Sequence, residues 1–281
     1  MVTRGTYDDR DATRACESVL IELTHLMGEF RDHIVLIGGW VPALLFPDAE
    51  ERHTGSLDID LALDFRNIPD ETYQTVLSAL LSRGYRQDDR NPFRFFRSVQ
   101  VPGGSFISVE VDLLAGEYGG TGPGHRTQNV QDARARKARG ADLAFENPVA
   151  VSLAGELPGG GRGKVTVRVA AVVPWLVMKG MALADRAKEK DAYDIAYCVR
   201  TYPGGPRKLA DECRPHLSNR LAREGLGKIR EKFLTVDHVG PKWITDFEQV
   251  SDPEARDILR RKCFEEVTEW LDALEIGPWE P

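Results

Sequence analysis

The run Leu57-Asp58-Ile59-Asp60-Leu61-Ala62-Leu63 constrains this chain more than any other, because aspartate alternates there with bulky aliphatic residues. In an extended strand, side chains i and i+2 share a face. Asp58 and Asp60 then project together, while Leu57, Ile59 and Leu61 turn into a core. The strand is preceded by Ile34-Val35-Leu36-Ile37, which stops at Gly38-Gly39, and is answered downstream by Val109-Glu110-Val111-Asp112-Leu113-Leu114. Two like charges on one strand face repel unless cations neutralise them. Magnesium suits the position, being a hard ion that takes one or two carboxylates and fills its shell with water and phosphate oxygens. A third carboxylate extends this to a two-metal site.

The rest of the chain reads as helices and strands around that motif. Val19, Leu20, Leu23, Leu26, Met27 and Phe30 recur at helical spacing over 9–30 and lead into the strand at 34–37. The residues from Trp40 to Phe46 read as a short helix, 47–53 as a polar connection and 56–65 as the strand with the paired aspartates. Pro69 opens a helix that Gly84 ends. Strands are expected near 93–101, 105–114, 148–153 and 164–170. Between them lie the glycine-rich Gly119 to Gly124 and a basic segment, His125, Arg126, Arg134, Arg136, Lys137 and Arg139, read as a surface loop or as a contact for acceptor phosphates. Helices are expected over 174–199, 206–233 and 252–274, with Pro203-Gly204-Gly205-Pro206 and Gly240-Pro241 as breaks. The fold class expected is α/β (α+β), with residues 1–170 as one domain and 171–281 as a helical C-terminal domain.

Composition excludes several classes. With 281 residues, 42% of them hydrophobic, the chain can bury a sizeable core. Its 37 basic and 44 acidic residues give a net charge of -7, which argues against indiscriminate coating of nucleic acid. Nothing resembles a secretory signal or an apolar span of 18 residues, so a cytoplasmic protein without membrane contact is expected. Cys16, Cys198, Cys213 and Cys263 are scattered, which suggests neither a zinc motif nor a disulfide framework.

Each chemical element has a plain rival reading. Gly38-Gly39 lets backbone amides approach a phosphate, but is equally an ordinary strand-to-helix turn. Of the two downstream acids, Asp112 is favoured as the third carboxylate over Glu110 because apolar neighbours frame it more closely; a structural salt bridge is the alternative. Along 175–195, read as one helix, Lys179, Arg186 and Lys190 fall within about 40 degrees of one another, with Asp194 adjoining. A solvated charged face would explain most of this. It would not explain Lys179, which sits among Trp175, Leu176, Met178 and Leu183 and needs a reason such as gripping a triphosphate or activating an acceptor hydroxyl.

Gly38-Gly39-Trp40, Ser56-Leu57-Asp58-Ile59-Asp60, and Lys179 through Arg186 to Lys190-Asp191-Ala192-Tyr193-Asp194 together resemble the AbiEii/AbiGii-type nucleotidyltransferase toxins, MenA-like toxins among them, of the DNA polymerase β superfamily. The resemblance covers most of residues 34–200, and its most discriminating part is the Lys-Asp followed three residues later by Asp. It implies a mixed nucleotidyltransferase sheet with flanking helices, a helical C-terminal domain and an active site in the groove between them. It further implies a toxin with a cognate antitoxin, moving a nucleotide from a nucleoside triphosphate to an RNA acceptor such as the tRNA 3' end. Under it, Asp58, Asp60 and Asp112 hold the metals, and Lys179 binds phosphate. Asp191 and Asp194 orient Lys179, Lys190 or the acceptor, while Gly38, Gly39, Ser56, Arg186 and Lys190 bind substrate. Trp40 stands where the superfamily commonly has serine, which leaves Ser56 or Thr54 to touch phosphate. The competing functions are a small-molecule nucleotidyltransferase of the antibiotic-modifying kind, against which the Lys-Asp-x-x-Asp segment speaks, and a nucleotide-binding module without catalysis.

Overall fold

The computed structural model describes residues 3–7, 9–64, 76–116, 127–130 and 133–280. Its helices are α1 (Arg4–Tyr7), α2 (Arg10–Leu26), α3 (Val41–Leu45), α4 (Val76–Ser82), α5 (Val172–Arg186), α6 (Glu189–Thr201), α7 (Gly205–Cys213), α8 (Arg220–Lys232), α9 (Val239–Phe247) and α10 (Pro253–Ala273). Its strands are β1 (Ile34–Ile37), β2 (Asp58–Leu63), β3 (Arg86–Gln87), β4 (Arg94–Gln100), β5 (Phe106–Ala115), β6 (Thr127–Val130), β7 (Ala133–Lys137), β8 (Val149–Glu156) and β9 (Arg162–Val169). The chain divides into a sheet unit, Asp9–Leu45 with Gly55–Ala171, and a helical unit, Met1–Asp8 with Phe46–Thr54 and Val172–Pro281.

In the sheet unit the strands run in the order β3-β4-β5-β2-β1-β9-β8, and β7 pairs with both β5 and β6. The sheet is mixed: β2 is antiparallel to β1 and parallel to β5, while β1 is parallel to β9. This is the α+β architecture expected, a mixed sheet with flanking helices and a helical C-terminal part. Strand β1 is buried throughout, as an unbroken aliphatic run must be. Helix α2 starts where the Asp9 side chain accepts hydrogen bonds from the amides of Asp11 and Ala12. It buries Ala15, Cys16, Val19, Leu20 and Leu23, and its Ile21 lies so close to Gly155 and Gly163 that a Cβ on either would come within 2.9 Å of it. The two glycines let the helix lie on the β8–β9 hairpin without Ile21 having to move.

The helical unit is assembled around buried α6, with α5 crossing α8 at closest approach where Gly180 meets Gly225. A Cβ on Gly180 would collide with the Gly225 carbonyl, and one on Gly225 would sit 2.6 Å from the Val177 carbonyl. Among the described residues, no helix is long and apolar enough to cross a membrane.

Several expectations need correction. The helix read over 174–199 is two, because Ala187 turns the chain with φ 48° between α5 and α6. No glycine or proline marks that break, so the charged face drawn on one continuous helix does not exist. The stretch 206–233 is likewise interrupted at Arg214–Ser218, where Pro215 enters a 3-10 turn. Gly240-Pro241 does not break the chain but lies in the first turn of α9, where proline's missing N–H goes unmissed. In the basic segment, the backbone of 127–130 and 133–137 forms the antiparallel pair β6–β7 instead of a loop. The helix start at Pro69, the Gly119 to Gly124 run, His125 and Arg126 lie outside the described residues.

Candidate active site

Strand register builds the first cluster. Because β2 and β5 are parallel with Asp58 opposite Glu110 and Asp60 opposite Asp112, the two acidic pairs stand side by side on one face. Ile59, Leu61, Val109, Val111 and Leu113 are all buried. Asp60 also pairs with Ile37 across β1, which brings its side chain against the next residue, Gly38. Gly38 has φ 76°, and a Cβ there would collide with Oδ2 of Asp60. The glycine is therefore required twice, by its backbone conformation and by the carboxylate resting on it. Ser56, buried, donates its hydroxyl to Oδ1 of Asp58. Trp40, in place of a serine, is a core residue: its indole N–H donates to Sγ of Cys16 at 3.2 Å.

Arg94, on β4 directly opposite Asp112, was not among the expected site residues. Its Nε and Nη2 donate to Oδ1 and Oδ2 of Asp112, both at 2.8 Å, and Nη2 lies 2.7 Å from Oε1 of Glu110. Asp112, the favoured third carboxylate, is thus engaged at both oxygens and is only 6% exposed. Among the described residues, no three acids, histidines or cysteines converge to hold an ion. A tight hairpin between the two expected strands would have placed 94 opposite 112, so Arg94 could have been found by counting register.

The second cluster lies in the helical unit and holds all the residues expected there. Nζ of Lys179, 6% exposed, is 2.7 Å from Oδ1 of Asp191 and 2.7 Å from Oδ2 of Asp194. Arg186 forks onto both oxygens of Asp191 at 2.8 Å, and Lys190 reaches Oδ1 of Asp194 at 2.8 Å. Two of Lys179's three N–H donors are therefore committed to the acids. His53 is a second residue that sequence reasoning missed: Nε2 lies 2.9 Å from Oδ1 of Asp194, and its ring stacks on Tyr193 at 5.5 Å between centroids. Since a carboxylate only accepts, Nε2 carries the proton.

The electrostatics follow from burial and neighbours. Burial works against ionised Asp194, yet Lys179, Lys190 and the His53 hydrogen bond outweigh it and hold that carboxyl well below its ordinary range. Burial likewise opposes ionised Asp191, and Lys179 and Arg186 overcome it. Lys179 is lowered by burial but raised more by the two acids, so it stays an ammonium ion. His53 goes the other way: burial, reinforced by Lys190 and Lys179, outweighs Asp194 and lowers it to about 4.

The model of a family described as nucleotidyl transferase AbiEii toxin, type IV toxin–antitoxin system, matches residues 23–269. The chain belongs to the AbiEii family. It is accordingly a nucleotidyltransferase of the AbiEii toxin type, and the family's type IV systems imply an antitoxin partner and a nucleotide substrate. Among solved structures, JHP933 from Helicobacter pylori is 11% identical, with a TM-score of 0.42, over 95% of this AbiEii chain and 94% of that one. MenT4, the nucleotidyltransferase toxin Rv2826c from Mycobacterium tuberculosis H37Rv, is 15% identical, with a TM-score of 0.40, over 99% and 100%. No curated protein matches the AbiEii chain significantly.

Proposed function

We propose that the chain transfers a nucleotide from a nucleoside triphosphate to an RNA acceptor, the tRNA 3' end being the favoured one, and acts as the toxin of a toxin–antitoxin pair. The observation that carries this reading is the acidic face, on which Asp58 and Asp60 stand together with Asp60 seated against Gly38. The donor set fits a hard divalent cation such as magnesium: two adjacent carboxylates, and a glycine cradle that any side chain would fill. Asp58 and Asp60 would hold the ion, which when bound draws charge from the triphosphate oxygens. Ser56, donating to Oδ1 of Asp58, aims that carboxylate.

The reaction is attack of an acceptor hydroxyl on the α-phosphorus: a new O–P bond forms, the bond to pyrophosphate breaks, and the hydroxyl proton passes to solvent water. The protein's part is positioning and electrostatics rather than covalent chemistry. Lys179, fixed by Asp191 and Asp194, keeps one N–H for a phosphate oxygen. Arg186 and Lys190 contribute further positive charge, and Gly38 and Gly39 let backbone approach phosphate. Transfer runs in the cytoplasm, where both triphosphate and tRNA are supplied.

Incubating the protein with labelled nucleoside triphosphates, magnesium and either purified tRNA or an aminoglycoside panel tests this. Label on tRNA alone is expected. Label on the aminoglycosides instead would replace the RNA reading with a small-molecule one, and nucleotide binding without turnover would leave only a binding module.

A further inference from the structure

We propose that Arg94 is a built-in cation that occupies the place of a second metal, so that the acidic face takes a single divalent ion on Asp58 and Asp60. This rests on the nucleotidyl-transfer reading above. Four carboxylates share the face, two from each strand, and the guanidinium takes both of those on β5. It does so with the fork geometry that a carboxylate matches best, Nε and Nη2 each 2.8 Å from one oxygen of Asp112. The same Nη2 ties in Glu110 at 2.7 Å. Arg94 thereby holds the β5 acids as one unit.

Displacement by a metal is disfavoured for three reasons. Arginine does not give up its charge, so an ion arriving at Asp112 meets a fixed positive group rather than one that can deprotonate. Asp112 is buried, so breaking the pair leaves a desolvated carboxylate without its partner before any replacement is made. Arg94 also stands directly opposite Asp112 in the β4–β5 pairing, so strand register keeps the base of its side chain beside that acid. A magnesium ion, by contrast, asks for only one or two protein carboxylates, which Asp58 and Asp60 provide.

The test is a manganese titration followed by electron paramagnetic resonance of the free ion, with and without a non-hydrolysable nucleoside triphosphate. Wild type should bind one ion per chain and Arg94→Gln two, because the change releases Glu110 and Asp112. Two ions on wild type would overturn the inference and leave nucleotidyl transfer standing. None under either condition would overturn both. A single ion on Arg94→Gln would show that Arg94 is not what withholds Asp112. Should Arg94→Gln fail to fold, the charge-balanced Arg94→Gln/Asp112→Asn variant removes the pair as a unit. It should keep one ion with an essentially unchanged Kd, and a Kd weakened by about tenfold or more would make Asp112 a ligand and refute the proposal.

Discussion

Replacing His53 by glutamine should change how the stability of this protein depends on pH more than it changes stability at pH 7. The His53 side chain is fully buried, and its imidazole is held at about 4 against an ordinary 6.5. Between those values the unfolded chain carries a proton on this residue that the folded chain refuses, so stability rises with pH across the window and falls as pH drops from 6.5 toward 4. The difference corresponds to roughly 3 kcal/mol, at a slope of about 1.4 kcal/mol per pH unit. Asp191 and Asp194 shift in the opposite sense for stability: both are lowered, so their contribution is intact above the ordinary carboxylate value and is lost only below it. Of these three groups, His53 therefore governs the window from 6.5 to 4, and the two aspartates the acid limb below it. Urea unfolding of wild type and His53→Gln, followed by circular dichroism at pH 7.5, 6, 5 and 4.5, separates them because the other histidines are common to both. The wild type's advantage should shrink by about 2 kcal/mol or more between pH 7.5 and 4.5. An advantage that is constant with pH, or a His53 resonance titrating near 6.5, would refute the reasoning.

Gly38→Ala forces an unfavourable backbone and drives a Cβ into the Asp60 carboxylate, so it should cost about 1–3 kcal/mol and most of the transfer activity; a fully active variant would contradict the cradle. Gly180→Ala should destabilise by about 1–3 kcal/mol in a urea melt because α5 and α8 touch through backbone there. Gly159→Ala, where nothing lies within 4 Å, should change stability by less than about 0.5 kcal/mol. Lys179→Met strips two buried carboxylates of a shared partner and should cost about 3–5 kcal/mol, measured the same way; a near-neutral result would mean that Arg186, Lys190 and His53 suffice to hold them.

What the sequence made legible was whatever local periodicity encodes. Asp58 and Asp60 could be placed on one face because a strand has a period of two, and Gly38 could be singled out because it ends an aliphatic run. Lys179, Asp191 and Asp194 could be named as a set, but the single helical face drawn for Lys179, Arg186 and Lys190 with Asp194 adjoining was wrong. They meet across two helices, and the turn at Ala187 that makes this possible has no local marker; burial of the ion cluster decides it over helix propensity. His53 was hidden for a different reason. It lies in a polar connection and its partner Asp194 is 141 positions away, a separation to which no window of sequence is sensitive. Arg94 falls between these cases, since strand pairing places it but only once the turn length is fixed. Proline and glycine misled at α9, where the same dipeptide that ends helices sits in a first turn.

The most direct test of the central claim is transfer of an α-labelled nucleotide to total RNA by wild type and by Asp58→Ala, with the fold of both verified by thermal melting. The account predicts label on RNA, with pyrophosphate released, from the wild type alone, with Asp58→Ala still melting as a folded protein. Equal labelling by a folded Asp58→Ala variant would contradict the assignment of the acidic face as the site of nucleotidyl transfer.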